Sequence, residues 1–473
     1  MKKFQKLIVF LLTLAMIAGS FAGCGGKDAA DTDATPTEAA TPTEATEPTA
    51  IPTVAPTEAP VRDLGGLEVV IGNWWAGEPA EPTTTYEEDL AAYRADIQAK
   101  YNFTIKEVNI GGWGDIQELY STSVMANTPA ASIFVLDSSF VPALLNQGLF
   151  YAVNELPSFD FTQSKWNQEV NKTMTFAGKQ YGFAVGAEPR LGVFFNKRLF
   201  EEAGLSPELP YDLQASNEWT WAKFKEICQT LTRDKDNDGV MDTYALSSFS
   251  KDYFSAAIYS NNAKYVGKDE SGMFYNATNE PNFLEALQWA RSIYDEGYTM
   301  PQPEGSNWDW FGAAFHDGQV AMRVAEEYNK GSMADMADDW GFVMFPAGPN
   351  GQMLSIIREN ILVIPSCLDA QTADDIAFAY NLYTEPLAGY EDNDAWKLSF
   401  YSAYRDARAV DETLDKMKNG PAVLRTDAYV YGLEIGDIVY DLDAGAATPA
   451  EKIEAIQQSW DALIADANAV FQQ

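Results

Sequence analysis

Asp234, Asp236, Asp238 and Asp242, with Gly239 among them, form the densest cluster of potential metal ligands in the chain. Counted from Asp234, the carboxylates occupy the first, third, fifth and ninth places of a calcium loop. Gly239 takes the sixth, where the turn is sharp, and Val240 offers its carbonyl at the seventh. The twelfth place, which in a complete EF-hand holds a chelating Glu, is Ala245. Either a distant carboxylate closes the shell around a structural Ca2+, or the site is weak; without a cation the crowded carboxylates repel one another. Nothing comparable serves covalent chemistry. His316 is the single histidine, no Ser-His-Asp or Cys-His set accompanies it, and no Gly-Lys-Ser/Thr phosphate loop occurs. Tryptophan, by contrast, is abundant, with 12 residues. Trp74 and Trp75 are adjacent at a strand end and so point to opposite sides, Trp113 stands among glycines, and Trp308 and Trp310 lie in a polar segment. These five are aromatic faces left over for a ligand.

The elements that must position them follow from periodicity. Leu67 to Ile71, Phe103 to Val108 and Ser132 to Leu136 read as strands, and the third ends at Asp137. Between them come a helix opened by a Thr85/Glu88 capping box, with Tyr86, Leu90, Tyr93, Ile97 and Tyr101 at helical spacing, and a helix from Ile116 to Met125. Strand, helix, strand, helix, strand implies a parallel sheet, and ligands sit beyond the carboxyl ends of such strands. Trp74, Trp75, Trp113 and Asp137 are therefore expected on one rim. Farther on, Tyr181 to Val185 and Leu191 to Phe195 read as two strands around a crossing, followed by a short helix that stops at Gly204. Thr220 caps a further helix, Ile361 to Pro365 returns as a strand, and Ile453, Ile456, Trp460, Ile464 and Val470 stripe a terminal helix.

The order Tyr181-Gly182-Phe183, Phe195-Asn196-Lys197, Leu199-Phe200-Glu201-Glu202-Ala203-Gly204-Leu205 and Thr220-Trp221 resembles extracellular solute-binding family 1. These are the carbohydrate-capturing components of ABC importers, such as the maltose-binding proteins. The resemblance implies an α/β, two-lobed periplasmic-binding-protein-like fold. Each lobe would be a mainly parallel sheet flanked by helices, with the ligand cleft at the hinge. It also implies an oligosaccharide ligand, no catalysis, and separate ABC permease and ATPase subunits. Carried over position by position, it makes Asp137 and Glu188 cleft carboxylates and sets Tyr253, Glu326 or Tyr328, and Tyr429 or Tyr431 where the family places ligand contacts. The aromatic that the family places after Val320-Ala321-Met322 is missing here, replaced by Ala325-Glu326-Glu327-Tyr328. Arg190 and Arg358 fall at cleft-facing places, where each could grip a uronate carboxylate, bind neutral hydroxyls, or pair with Glu188 and Glu359. Aromatic faces suit the C–H side of a pyranose ring. A surface glycoside hydrolase and a glycan-binding adhesin stand as the alternatives.

The amino terminus reads as a lipoprotein signal over residues 1–23: basic Lys2, Lys3 and Lys6, an apolar run, then Phe21-Ala22-Gly23-Cys24. Cys24 would be lipidated. Residues 24–62 would be a disordered Thr/Pro/Ala/Glu tether holding the folded part at the extracellular face of a Gram-positive membrane. The remainder is long enough for two cores, divided by this reading into 63–185 plus 358–410 and 186–357 plus 411–473. A formal net charge of -37 excludes nucleic acid as a partner and leaves the lipid anchor as the sole contact with membrane. The protein is expected to be a monomer, with Cys228 and Cys367 as thiols rather than a bridge.

Overall fold

The computed structural model describes residues 61–79, 81–186, 188, 190–357, 360–390 and 394–471, all within the compact unit that runs from Pro60 to Gln473. Cys24, residues 25–60 of the expected tether, Arg358 and Glu359 lie outside the described residues, as does the side chain of Val470. The tether does not run to residue 62 as expected, because Arg62 already belongs to the folded part, donating to Asp374, Asp375 and Ser158. None of the described helices is long and apolar enough to cross a membrane.

Two four-stranded sheets organise the chain. We number their strands β1 (Leu67–Asn73), β2 (Phe103–Asn109), β3 (Ile133–Asp137), β4 (Leu191–Asn196), β5 (Tyr244–Ser248), β6 (Val320–Glu326), β7 (Trp340–Met344) and β8 (Asn360–Val363). The first sheet has the order β8-β3-β1-β2. β1 runs parallel to β2, from Leu67↔Phe103 to Asn73↔Asn109, and parallel to β3 at Ile71↔Ile133. β8 returns antiparallel, so its first residue, Asn360, lies opposite Asp137. Val69, Ile71, Phe103 and Ile105 bury their side chains in one core with Ile376 and Tyr380 of the helix Ala370–Tyr383. That helix starts at Asp369, whose carboxylate accepts from the amides of Gln371 and Thr372.

The helix between β1 and β2, Thr85–Tyr101, has its capping box one residue earlier than expected. Thr84 Oγ1 accepts from the Glu87 amide at 3.2 Å, and the Glu87 carboxylate accepts from the amides of Thr83 and Thr84. Three successive threonines before Glu87 and Glu88 offer two registers, and the Thr83 amide and hydroxyl also donate to Glu87 in the one adopted. The helix Ile116–Met125 has the expected bounds.

The second sheet, β7-β4-β6-β5, departs from the mainly parallel expectation. β4 is antiparallel to both β6 and β7, and only β5 and β6 run parallel. The start of β4 at Leu191 thus lies beside the end of β6 at Glu326. Tyr181 to Val185 does not form a strand. Phe183 instead exchanges backbone hydrogen bonds with Leu362 of β8 (3.0 and 2.8 Å), and Val185 makes one bridge to Trp166. Gly186, at φ +65°, then turns the chain away before pairing extends. The helix after β4 ends at the expected place, with Gly204 at φ +79°.

Thr220 caps the helix Trp221–Leu231, and Trp221 stacks on Trp289 at 4.2 Å and 7°. The terminal helix Pro449–Phe471 buries Ile456, Trp460 and Ile464 as its stripe predicts. The segment just before residue 411 is bonded to parts of the chain on either side of β6. Tyr404 donates to Glu327 Oε1 at 2.6 Å, Arg405 to the carbonyls of Ala334 and Met336, and Arg408 to Glu208 and Asp212. The cation of Arg408 among these acids ties the segment to the helix Leu209–Ala215. Cys228 is a buried free thiol, and Cys367 a half-buried one.

Candidate functional site

Because β1, β2 and β3 are parallel, Asn73, Asn109 and Asp137 end on one rim, and the loops beyond them carry the aromatic side chains. The buried Asn73 side chain accepts from the amides of Trp75 (3.1 Å) and Ala76 (2.7 Å), a local turn that sets the two tryptophans. Asn109 donates to the Trp74 carbonyl at 3.2 Å. The rings of Trp74 and Trp75 then meet edge to face, 4.7 Å apart. Trp74 packs against the core, whereas Trp75 remains half exposed.

Trp113 is also half exposed, its ring resting on Phe140 at 5.0 Å and its Nε1 donating to Asp137 Oδ2 at 3.3 Å. The other Asp137 oxygen accepts from the amide (2.9 Å) and hydroxyl (2.6 Å) of Ser139. Asp137 is thus an acceptor fixed on both sides.

Facing this rim, Arg190 lies 2.8 Å from Glu188 Oε2 and 3.3 Å from Glu326 Oε2, held where β4 begins and β6 ends. Tyr328 places its ring 5.9 Å from the guanidinium. Partial burial of its phenol, together with the Glu326 carboxylate, pushes the Tyr328 pKa up to about 12, so the hydroxyl stays neutral. Trp74, Trp75, Trp113 and Asp137 on one side, and Glu188, Arg190, Glu326 and Tyr328 on the other, line one cavity of about 580 Å3. Asn360 completes it. Asn360 escaped the sequence reading because an asparagine opening a strand looks unremarkable; only the antiparallel return of β8 puts it beside Asp137.

Two further cavities continue from this one. A volume of about 910 Å3 shares Glu326 and Tyr328 and includes Trp308, Trp310 and Phe249. Another, of about 410 Å3, shares Trp113 with the first and Phe249 with the second, and carries Tyr431 and Arg425. Trp308 is 75% exposed and Tyr431 60%, values that leave both rings available to a ligand.

One expected contact is not made. Tyr253 is fully buried and donates to the Ala290 carbonyl at 3.2 Å; it sits in the helix Ser250–Ser260, whose buried face carries it into the core. Of the alternatives Tyr429 and Tyr431, Tyr429 is buried and Tyr431 takes the cavity position.

Away from the cleft, Asp234, Asp236 and Asp242 each bring an oxygen within 4.8 Å of the others. Gly239 adopts φ +91°, as the sharp turn demands, and its amide donates to Asp234 at 2.9 Å. Asp238 turns instead to the Val240 amide at 2.7 Å.

A family model described as bacterial extracellular solute-binding protein matches residues 78–367. A curated relative, the diacetylchitobiose binding protein DasA of Streptomyces coelicolor, is 28% identical over 137 residues; the match spans 29% of this chain and 30% of that protein. Among solved structures, the cyclic α-maltosyl-1,6-maltose binding protein of Arthrobacter globiformis superposes with a TM-score of 0.63 at 20% identity, covering 85% of this chain and 99% of that one. The sugar-binding protein MalE of Xanthomonas citri gives 0.60 at 16% identity, over 86% and 99%.

Proposed function

This chain belongs to the bacterial extracellular solute-binding proteins, and from that premise we propose that it captures an oligosaccharide between its two lobes and delivers it unaltered to separate ABC permease subunits. The observation that carries this reading is the convergence of Trp74, Trp75 and Trp113 with Asp137 on one cavity. Ring faces take the apolar side of a pyranose, while fixed acceptors and donors around them take its hydroxyls. Arg190 is neutralised by two carboxylates, which favours an uncharged sugar over a uronate at this position. The DasA and Arthrobacter proteins, whose names specify neutral saccharides, support the same class.

Titrating neutral oligosaccharides against intrinsic tryptophan fluorescence tests the reading: a stoichiometric, saturable change with no new reducing ends supports a receptor. Release of reducing ends would mean a glycoside hydrolase instead.

The remaining parts of the reading concern the chain outside the cleft. Lipidation of Cys24 would tether the monomeric receptor to the outer face of a Gram-positive membrane, and a mass shift on Cys24 after expression in a lipoprotein-processing host checks it. Asp234, Asp236, Asp242 and the Val240 carbonyl would hold a structural Ca2+; the close carboxylate oxygens and the turn at Gly239 fit a hard cation. A melting temperature that rises with added Ca2+ and falls with chelator is the expected result.

A further inference from the structure

The cavity that contains Trp308 and Trp310 has a feature that stacking does not explain. Arg323 lines it, yet the residue is only 6% exposed and lies inside β6, where alternation directs it to the same face as Ala321 and Ala325. Its backbone pairs with Phe194 on one side and Ser247 on the other. The helix Trp310–His316 passes directly over the guanidinium: a Cβ on Gly312 would stand 3.3 Å from Nη1, and the Phe311 ring centre is 5.6 Å from Cζ.

Of the several N–H donors on this guanidinium, Nη2 gives one hydrogen bond, to Asn329 Oδ1 at 2.9 Å, and Nε is buried with no partner among the described residues. Burial lowers the pKa from the usual arginine value, opposed by the more distant carboxylates Asp252 and Asp309. An apolar side chain would pack into this strand at less cost, since a buried cation must recover its lost hydration. A donor-only group held at the edge of a cavity is suited to an oxygen acceptor that arrives from outside.

The surroundings decide what kind of oxygen. Asp252, Asp309, Asp317 and Glu326 line the same cavity, against Arg323 and His316. Carboxylates in this excess repel an incoming anion, so a hydroxyl or an N-acyl carbonyl is preferred to a uronate.

We propose that Arg323 is the specificity-determining donor of a second saccharide subsite, lined by Trp308 and Trp310, which takes an uncharged sugar unit through an acceptor oxygen. This rests on the oligosaccharide-receptor reading above. The two cavities share Glu326 and Tyr328, so one linear chain occupies both, with its inner units at Trp113 and its outer units at Arg323.

The experiment compares wild-type protein with Arg323→Met and Arg323→Lys by calorimetric titration. The probes are neutral di- and tetrasaccharides of the malto-, cello-, xylo-, manno- and N-acetylchito- series, together with tetragalacturonate. For the neutral series that wild type binds, Arg323→Met is expected to weaken the tetrasaccharide about ten- to hundredfold and the disaccharide by less than about threefold. Arg323→Lys, which keeps the charge but loses the planar fork, falls between. Melting curves of both variants identify any loss of folding, and the ratio of tetra- to disaccharide affinity measured on folded protein carries the result.

Equal affinity of wild type and Arg323→Met for the tetrasaccharide overturns the subsite while leaving the receptor reading in place. So does equal weakening for both chain lengths, or tighter binding of tetragalacturonate than of every neutral tetrasaccharide by wild type. A wild-type protein that binds none of the neutral probes overturns the receptor reading and this inference with it.

Discussion

The two rims of the cleft face one another but are built by different rules. On the first, β1, β2 and β3 are parallel, so whatever follows each strand emerges on the same side; Trp74, Trp75, Trp113 and Asp137 all do so. On the second, β4 is antiparallel to both of its neighbours, and neighbouring strand ends face opposite ways. The aromatic side chains of this lobe divide by the elements that carry them, not by strand direction. Tyr253 and Tyr429 are carried into the core, whereas Tyr328, Trp308 and Tyr431 remain open to the cavities. Burial within the carrying element, rather than residue type, therefore decides which of these rings are free to bind.

The strongest way to break this comparison is to exchange the fates of two tryptophans. Trp221 lies face to face with Trp289 and donates from Nε1 to Ser260 Oγ at 3.1 Å. Its change to Ala should cost about 3–5 kcal/mol of folding stability, while the fraction that remains folded keeps its affinity. Chemical denaturation alongside calorimetric titration reads both quantities. Trp113→Ala should do the reverse. The expected loss is about 2 kcal/mol of binding, or roughly thirtyfold in Kd, with a melting temperature within about 1 °C of wild type. A Trp113→Ala protein that binds normally, or unfolds as readily as Trp221→Ala, would remove the distinction between the rims.

Legibility in the sequence follows the same division. Periodicity and caps gave the first sheet, the helix Ile116–Met125 and the parallel order, because each depends on neighbours within about ten residues. From that order alone the rim of Trp74, Trp75, Trp113 and Asp137 could be drawn. Arg190, Glu188, Glu326 and Tyr328 came through family resemblance, and they meet in the same cavity. The direction of β4 depends on its partners β6 and β7, more than a hundred residues away in sequence, and no local pattern encodes it. Tyr253 was misplaced because its helix turns it to the core, and Asn360 was missed because only the antiparallel return of β8 puts it beside Asp137. The bonds of Tyr404, Arg405 and Arg408 were hidden for the same reason, since their partners lie far away in sequence.

The finest test contrasts the two ends of β4. At its start, Arg190 joins Glu188 and Glu326 in the cleft; beyond its other end, Arg198 grips Asp338 through Nε at 2.7 Å and Nη2 at 2.8 Å, outside every cavity described above. The hydrogen bonds from Arg198 hold the Asp338 pKa below its ordinary 3.8, overcoming partial burial and helped by Asn196. A carboxylate whose folded pKa is depressed adds stability that is complete above its unfolded pKa and disappears as pH falls through the folded value. Asp338→Asn should therefore lower the melting temperature by about 1–2 °C at pH 7. The gap from wild type should hold down to about pH 5 and close below pH 3.8, as wild type loses the same interaction. Ligand affinity at pH 7 should not change, because Asp338 is remote from the cleft. If the gap persisted unchanged in acid, the Arg198 pair would not be what the carboxylate contributes. If affinity fell instead, the two ends of β4 would not be independent, and the second rim would answer to the back of its own sheet.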